Sequence, residues 1–176
     1  MVATPPASGG TPNARLLVNA FELLRQAGTR RHVSHVVDAA DIDVGHPAIT
    51  GPLDVEFDLE STVDDVGVTG TIDVPWQGEC RRCLRPLTGV RHVDVDERYA
   101  ETPGADSDAL VMERGQIDLR ATVRDEVLLA LEDEPLCRPD CPGLCPVCGR
   151  VVTDRSCSCD TGLVDDRWAA LDDLRD

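Results

Sequence analysis

The sequence contains no lysine: all 17 of its basic residues are arginine, set against 33 Asp and Glu, for a net charge of −16. So acidic a chain is poorly suited to wrapping RNA or anionic membrane non-specifically, which needs cationic surface. It suits solubility and an encounter with a basic partner. Arginine in place of lysine, together with abundant Ala, Val, Asp, Gly and Pro, fits the coding bias of a GC-rich genome. Aromatic residues are also scarce, with only Phe21, Phe57, Trp76, Tyr99 and Trp168 among 176 residues. Few rings are therefore available as stacking platforms for single-stranded nucleic acid. The N-terminal stretch MVATPPASGGTPN has neither a charged n-region nor an apolar h-region, and no apolar run approaches the length of a membrane span. The expected compartment is the cytoplasm, with no membrane partner. No P-loop, G-x-G-x-x-G, G-x-S-x-G or H-E-x-x-H motif occurs, and His32, His35, His46 and His92 are scattered. Nothing here points to an enzyme or to a small-molecule substrate.

What the chain does have, first, is period-two alternation. In LDVEFDLE, Leu53, Val55, Phe57 and Leu59 alternate with Asp54, Glu56, Asp58 and Glu60. In VGVTGTIDVPW, Val66, Val68, Ile72, Val74 and Trp76 share one parity, and STVDD lies between the two runs as a hairpin connection. A third run, LTGVRHVDVDERY, opposes Val93 and Val95 to Asp94 and Asp96. Such alternation means one buried and one wet face, so the paired carboxylates read as a solvated sheet surface rather than as an acid–base site. Upstream, Leu16–Val18 is a strand or an early helical turn, NAFELLRQAG a short helix closed by Gly28, and His32–Val37 a strand. After the linker AETPGADSDA, IDLRATVRDEVLLALEDE is a long helix ending just before Pro135. Asp118 caps it, and Leu119, Val123, Val127 and Leu131 form its core stripe. DDRWAALDDL is a last short helix with Trp168 and Leu171 on one side.

The second positive signal is cysteine. Cys80/Cys83 form a C-x-x-C, Cys137/Cys141 a C-x-x-x-C, Cys145/Cys148 a C-x-x-C, and Cys157/Cys159 a C-x-C. Four pairs supply the eight thiolates of two tetrahedral four-cysteine zinc sites, and a reducing compartment favours metal over disulfides. In CPVCG, Pro146 stiffens the turn and Gly149 can adopt the positive φ that follows such a knuckle, whereas CRRCL has the spacing without the glycine. Loop closure favours a local site from Cys145, Cys148, Cys157 and Cys159, leaving Cys137 and Cys141 to meet Cys80 and Cys83. The competing arrangement groups Cys137, Cys141, Cys145 and Cys148. A closed four-thiolate site leaves no open position for water, so such a metal serves folding and presentation.

Around the first knuckle, Gly78–His92 carries Arg81, Arg82, Arg85 and Arg91 against Glu79 alone, a local +3 on an acidic chain. These four are candidate RNA contacts, since the guanidinium fork suits phosphate. Balancing thiolates and nearby aspartates is the equally weighted alternative.

The stretches RQAGTRRHV, GTIDVPWQGECRRCLRPL, IDLRATVRDEVLLALEDEPLCRPDCPGLCPVCG and DDRWAALDDL together resemble the bacterial YceD family, named for large ribosomal RNA subunit accumulation. The resemblance runs from about Leu16 to Leu174; where relatives often continue CGADLN this chain has CGRVVT, a change that removes no cysteine. It implies a role in the synthesis, processing or stability of large-subunit ribosomal RNA, with no established enzymatic activity. It also implies that the site holding Cys80 and Cys83 belongs to the core and that the terminal site is dispensable.

The expected fold is α+β: an antiparallel sheet, with closure into a barrel an open option, packed on one long helix and followed by a zinc-ribbon-like segment. The expected organisation is a disordered N-terminus over 1–13, an α+β body over 14–136, and a metal-binding tail with a short helix over 137–176, tied back through Cys80/Cys83. The expected function is a cytoplasmic large-subunit biogenesis factor whose partner is a ribosomal RNA precursor or a basic ribosomal protein. The alternative is a thiol-based redox sensor or zinc-handling protein.

Overall fold

The three alternating runs become the three longest strands. The computed structural model describes residues 16–131, 135–152 and 157–159; the disorder expected over 1–13 and the helix expected to carry Trp168 and Leu171 lie outside them. In chain order the elements are β1 (Leu17–Asn19), α1 (Ala20–Leu24), β2 (Arg30–Val37), a 3-10 turn (Ala39–Ile42), β3 (Leu53–Ser61), β4 (Asp65–Glu79), β5 (Pro86–Ala100), β6 (Leu110–Val111), β7 (Gln116–Asp118) and α2 (Leu119–Ala130). The chain divides into two units. One holds the residues up to Gln77 together with Thr88–Asp133; the other holds Gly78–Leu87 and the chain from Glu134 onward.

In the first unit, alternation on β3 is complete: Leu53, Val55, Phe57 and Leu59 are buried, and Asp54, Glu56, Asp58 and Glu60 face water. β3 pairs antiparallel with β2 and with β4, in a register that sets Phe57 opposite Gly70. A side chain at Gly70 would have no room, because a Cβ there would lie 2.0 Å from the Glu56 carbonyl oxygen and 2.8 Å from Phe57 Cα. Val66, Val68, Ile72 and Val74 flank that glycine and are fully buried. Together with Leu16, Val18, Ile117, Leu119, Val123 and Val127 they belong to one continuous apolar core. Burying each such side chain stabilises the fold by roughly 1.5–3 kcal/mol.

The sheet does not close. Its order is β2-β3-β4-β5-β6, with β2 and β6 as its two edges, and β1 and β7 form a separate two-stranded sheet. No ladder joins β2 to β6 among the described residues, and β6 adds only two residues, paired parallel to the end of β5. The option of a barrel is therefore set aside, and the architecture is an open, largely antiparallel sheet in an α+β fold.

Helix α2 carries the expected stripe. Leu119, Val123 and Val127 are fully buried, and Leu131 packs against the core just past the helix end. The helix stops at Ala130, short of the end expected before Pro135. Leu131 already takes an extended backbone, φ −73° and ψ 121°. Asp118 caps α2 by accepting the Arg120 amide N–H at 3.0 Å and also pairs with the Arg120 guanidinium, which holds its carboxyl below the usual range. Asp118→Ala is expected to lower stability by about 1 kcal/mol at neutral pH, the usual worth of a cap. Because the folded-state pKa is the lower one, this contribution is present above the ordinary aspartate range and vanishes as pH falls through the folded value. Denaturation midpoints of the two proteins should therefore converge in acid.

Candidate metal centre

All eight cysteines belong to the second unit and all are free thiols. They assemble into two groups, Cys80/Cys83/Cys137/Cys141 and Cys145/Cys148/Cys157/Cys159, and within each group the sulfurs lie within 4.8 Å of one another. These are the groupings favoured by loop closure; Cys137 and Cys141 do not join Cys145 and Cys148. Sulfur separations are 3.8 Å for Cys80–Cys141, 3.7 Å for Cys83–Cys137, 3.6 Å for Cys148–Cys157 and 3.3 Å for Cys145–Cys157. A disulfide needs about 2.0 Å. A tetrahedron of thiolates each about 2.3 Å from a central zinc has edges of about 3.8 Å. Both clusters therefore have the donor chemistry and the spacing of a four-thiolate metal site.

Each cluster is built on a knuckle, and the two knuckles repeat one another bond for bond. In CRRCLR the Leu84 amide donates to the Cys80 carbonyl at 2.8 Å and the Cys80 amide to the Arg85 carbonyl at 2.9 Å. In CPVCGR the Gly149 amide donates to the Cys145 carbonyl at 2.9 Å and the Cys145 amide to the Arg150 carbonyl at 2.8 Å. Gly149 adopts φ +69°, as expected of the residue after a knuckle. The equivalent residue of the first knuckle is Leu84, at φ +58° and 58% exposed. A left-handed conformation costs a non-glycine residue roughly 1–2 kcal/mol. Comparison of the two hexapeptides carries a signal for this, since both read C-x-x-C-x-R.

The backbone also prepares the sulfurs. In the first cluster, amide N–H groups of Cys137, Cys83 and Arg82 point at Cys80 and draw its pKa down to about 6, with burial opposing. In the second, the amides of Cys148 and Val147 bring Cys145 to about 6 as well. Their neighbours move the other way. Cys137 is pushed up to about 12, chiefly by the Cys141 thiol, and Cys159 to about 12, chiefly by Cys157. Four sulfurs this close cannot all ionise without a cation among them, and a divalent metal supplies that charge.

The clusters differ in exposure. In the first, Cys80, Cys83 and Cys141 are buried and pack with Leu87, Leu136 and Cys137. In the second only Cys145 is buried; Cys148 is exposed, and Cys157 and Cys159 are half-buried. The second knuckle closes a small hairpin, marked by the Leu144–Val151 bridge and by the Val152 amide donating to the Gly143 carbonyl at 2.9 Å. Between the clusters run only Pro142, Gly143 and Leu144.

The candidate RNA contacts separate into two kinds. Arg82 spans the first site, its Nη1 donating to the Cys141 carbonyl at 3.0 Å, so it has a structural task that sequence reasoning missed. Arg91 lies over the Trp76 ring, 5.7 Å from its centroid. Arg81 and Arg85 are exposed on the knuckle loop itself. The histidines do not gather: His32 pairs with Asp58 at 2.9 Å, His92 with Asp73 at 2.6 Å, and His46 accepts the Ala48 amide at 3.2 Å.

Comparison with known proteins now adds to this geometry. No solved structure matches the chain significantly. An uncharacterized protein of Mycobacterium tuberculosis H37Rv is 40% identical over 126 residues, covering 68% of this chain and 60% of the relative. One from Mycobacterium leprae is 35% identical over 131 residues, covering 70% of this chain and 59% of the relative. A maize protein described as large ribosomal RNA subunit accumulation protein YCED homolog 1, chloroplastic, is 28% identical over 166 residues, covering 89% of this chain and 52% of the relative. The chain thus spans little more than half the length of these relatives. The profile described as large ribosomal RNA subunit accumulation protein YceD matches residues 68–175, a stretch that takes in both cysteine clusters and most of the chain, and on that match the chain belongs to the YceD family.

Proposed function

We propose that this protein is a non-enzymatic, cytoplasmic ribosome-biogenesis factor that supports synthesis, processing or stability of large-subunit ribosomal RNA, and that its two four-cysteine clusters are structural zinc sites. The observation that carries the reading is the pair of ready-formed thiolate clusters in a chain whose family is described by large ribosomal RNA subunit accumulation. Zinc suits these donors: it is redox-inert, takes four thiolates tetrahedrally, and in that closed form contributes folding energy rather than an activated water. Cys80, Cys83, Cys137 and Cys141 would hold one ion, and Cys145, Cys148, Cys157 and Cys159 the other. The metal would fix the knuckle loops as a rigid surface. The partner is a precursor of large-subunit ribosomal RNA, with Arg81, Arg82, Arg85 and Arg91 in its neighbourhood, or a basic ribosomal protein meeting the carboxylates of Asp54, Glu56, Asp58 and Glu60. Deleting the gene should lower mature large-subunit RNA or accumulate its precursor; unchanged levels of both would count against the reading.

One observation favours a second reading. Exposure of Cys148 leaves the second cluster open to solvent reagents, as a thiol sensor or a zinc-handling site requires. Metal-bound protein treated with a mild chelator should keep both ions if the sites are structural, and should give up the second-cluster ion readily if that cluster senses or hands on metal.

A further inference from the structure

Leu84 is an anomaly that packing does not explain. It occupies a left-handed backbone position, φ +58°, that its counterpart Gly149 fills without strain, and more than half of its surface is in water. A bulky residue at positive φ is a genuine outlier. Backbone strain of this kind clusters at functional sites and persists where the surroundings impose it. Here the surroundings are the two knuckle hydrogen bonds and the Arg81 amide, which donates to the Pro135 carbonyl at 3.0 Å. On either side of Leu84 in the same six-residue loop stand exposed Arg81 and Arg85. An apolar side chain between two guanidinium groups, on a loop that is basic within a chain of net charge −16, matches a partner with both apolar faces and negative charge.

We infer that the loop Cys80–Arg85 is an RNA-contacting tip, with Arg81 and Arg85 engaging phosphates of a single-stranded segment and Leu84 lying against an unstacked base or ribose. This deepens the large-subunit reading above and rests on it. Single-stranded RNA is favoured over an acidic protein surface because its phosphates match planar guanidinium forks and its splayed bases offer the apolar face. Arg82 is left out of the test variants because its Nη1 donates to the Cys141 carbonyl at 3.0 Å, so its removal would also disturb the first cluster.

The two roles of Leu84 have opposite signs, and the test exploits this. Leu84→Gly relieves the backbone, so the melting temperature of the full, metal-bound chain should hold or rise. If Leu84 touches RNA, affinity for an in vitro transcript of large-subunit precursor RNA should nevertheless fall severalfold, as expected for loss of an apolar base contact. Arg81→Ala/Arg85→Ala should weaken binding about tenfold and reduce the slope of log affinity against log salt by about 1.4, at roughly 0.7 per lost phosphate contact. Wild-type affinity and salt slope in these variants would overturn the inference. So would failure of the wild-type chain to bind the transcript, which would reassign the loop to an acidic protein. Complementation of the deletion strain keeps the two levels apart. Full rescue by the arginine variant of a real large-subunit RNA defect removes the tip and leaves the broader function standing. No defect on deletion removes the broader function, whatever the binding data show.

Discussion

Cys80→Ser is expected to eliminate metal from the first cluster and to unfold much of the second unit with it. The sulfur is fully buried, and its knuckle shares an apolar cluster with Cys83, Cys141, Leu87 and Leu136. A hydroxyl is a poor substitute for a thiolate, and three remaining thiols cannot stay ionised together at this spacing. Structural zinc contributes apparent binding energies of about 10–16 kcal/mol in finger-sized peptides. Whole domains are stable by only about 5–15 kcal/mol, so losing even a fraction of that term dominates every other substitution in this unit. Hydrogen exchange should accelerate across 78–87 and 135–144, and the intact mass under native conditions should drop by one metal. Cys148→Ser makes the contrast. That residue is exposed and its partners are local in sequence, so the second metal should be lost while protection over 78–87 persists.

Gly70→Ala should be the most damaging single-methyl change in the first unit. The added Cβ would lie 2.0 Å from a backbone oxygen and 2.8 Å from the backbone of Phe57, neither of which can swing aside as a flexible side chain would. Relief requires β3 and β4 to separate just where Phe57, Val68 and Ile72 are fully buried. Overpacking of a dense core costs about 1–3 kcal/mol and occasionally more, and a backbone collision sits at the upper end of that range. Urea denaturation should show a midpoint reduced by the equivalent of about 3 kcal/mol with an unchanged slope, since the surface exposed on unfolding stays the same. An unchanged midpoint would mean that the Phe57–Gly70 pairing is wrong.

Much of this fold is legible in the sequence. β3 and β4 declared themselves because every second residue is apolar, and a period of two has only one structural meaning. α2 was readable from its stripe and from Asp118. Loop closure favours the observed partition of cysteines without deciding it, since grouping Cys137, Cys141, Cys145 and Cys148 also closes a short loop. What escaped notice had weak or non-local causes. The two-residue β6 and three-residue β7 are too short to carry a period, and the same brevity leaves Leu16–Val18 readable as a strand or a helical turn where the structure has β1. The open sheet depends on which strands find partners, which no single run encodes. Arg82 looked like one basic residue among four, and only the folded path of Pro139–Cys141 places a carbonyl beside it. Leu84 escaped because the C-x-x-C-x-R register of the second knuckle has to be laid over the first before the leucine is seen to stand where glycine belongs.

Native mass spectrometry of the reduced protein, with elemental analysis of the bound metal, decides whether its eight thiols hold two structural zinc ions. The expected result is two zinc ions per chain, all eight thiols protected from alkylation, and loss of that protection on removal of the metal. A metal-free chain of full stability, or a chain whose cysteines are paired as disulfides, would contradict it.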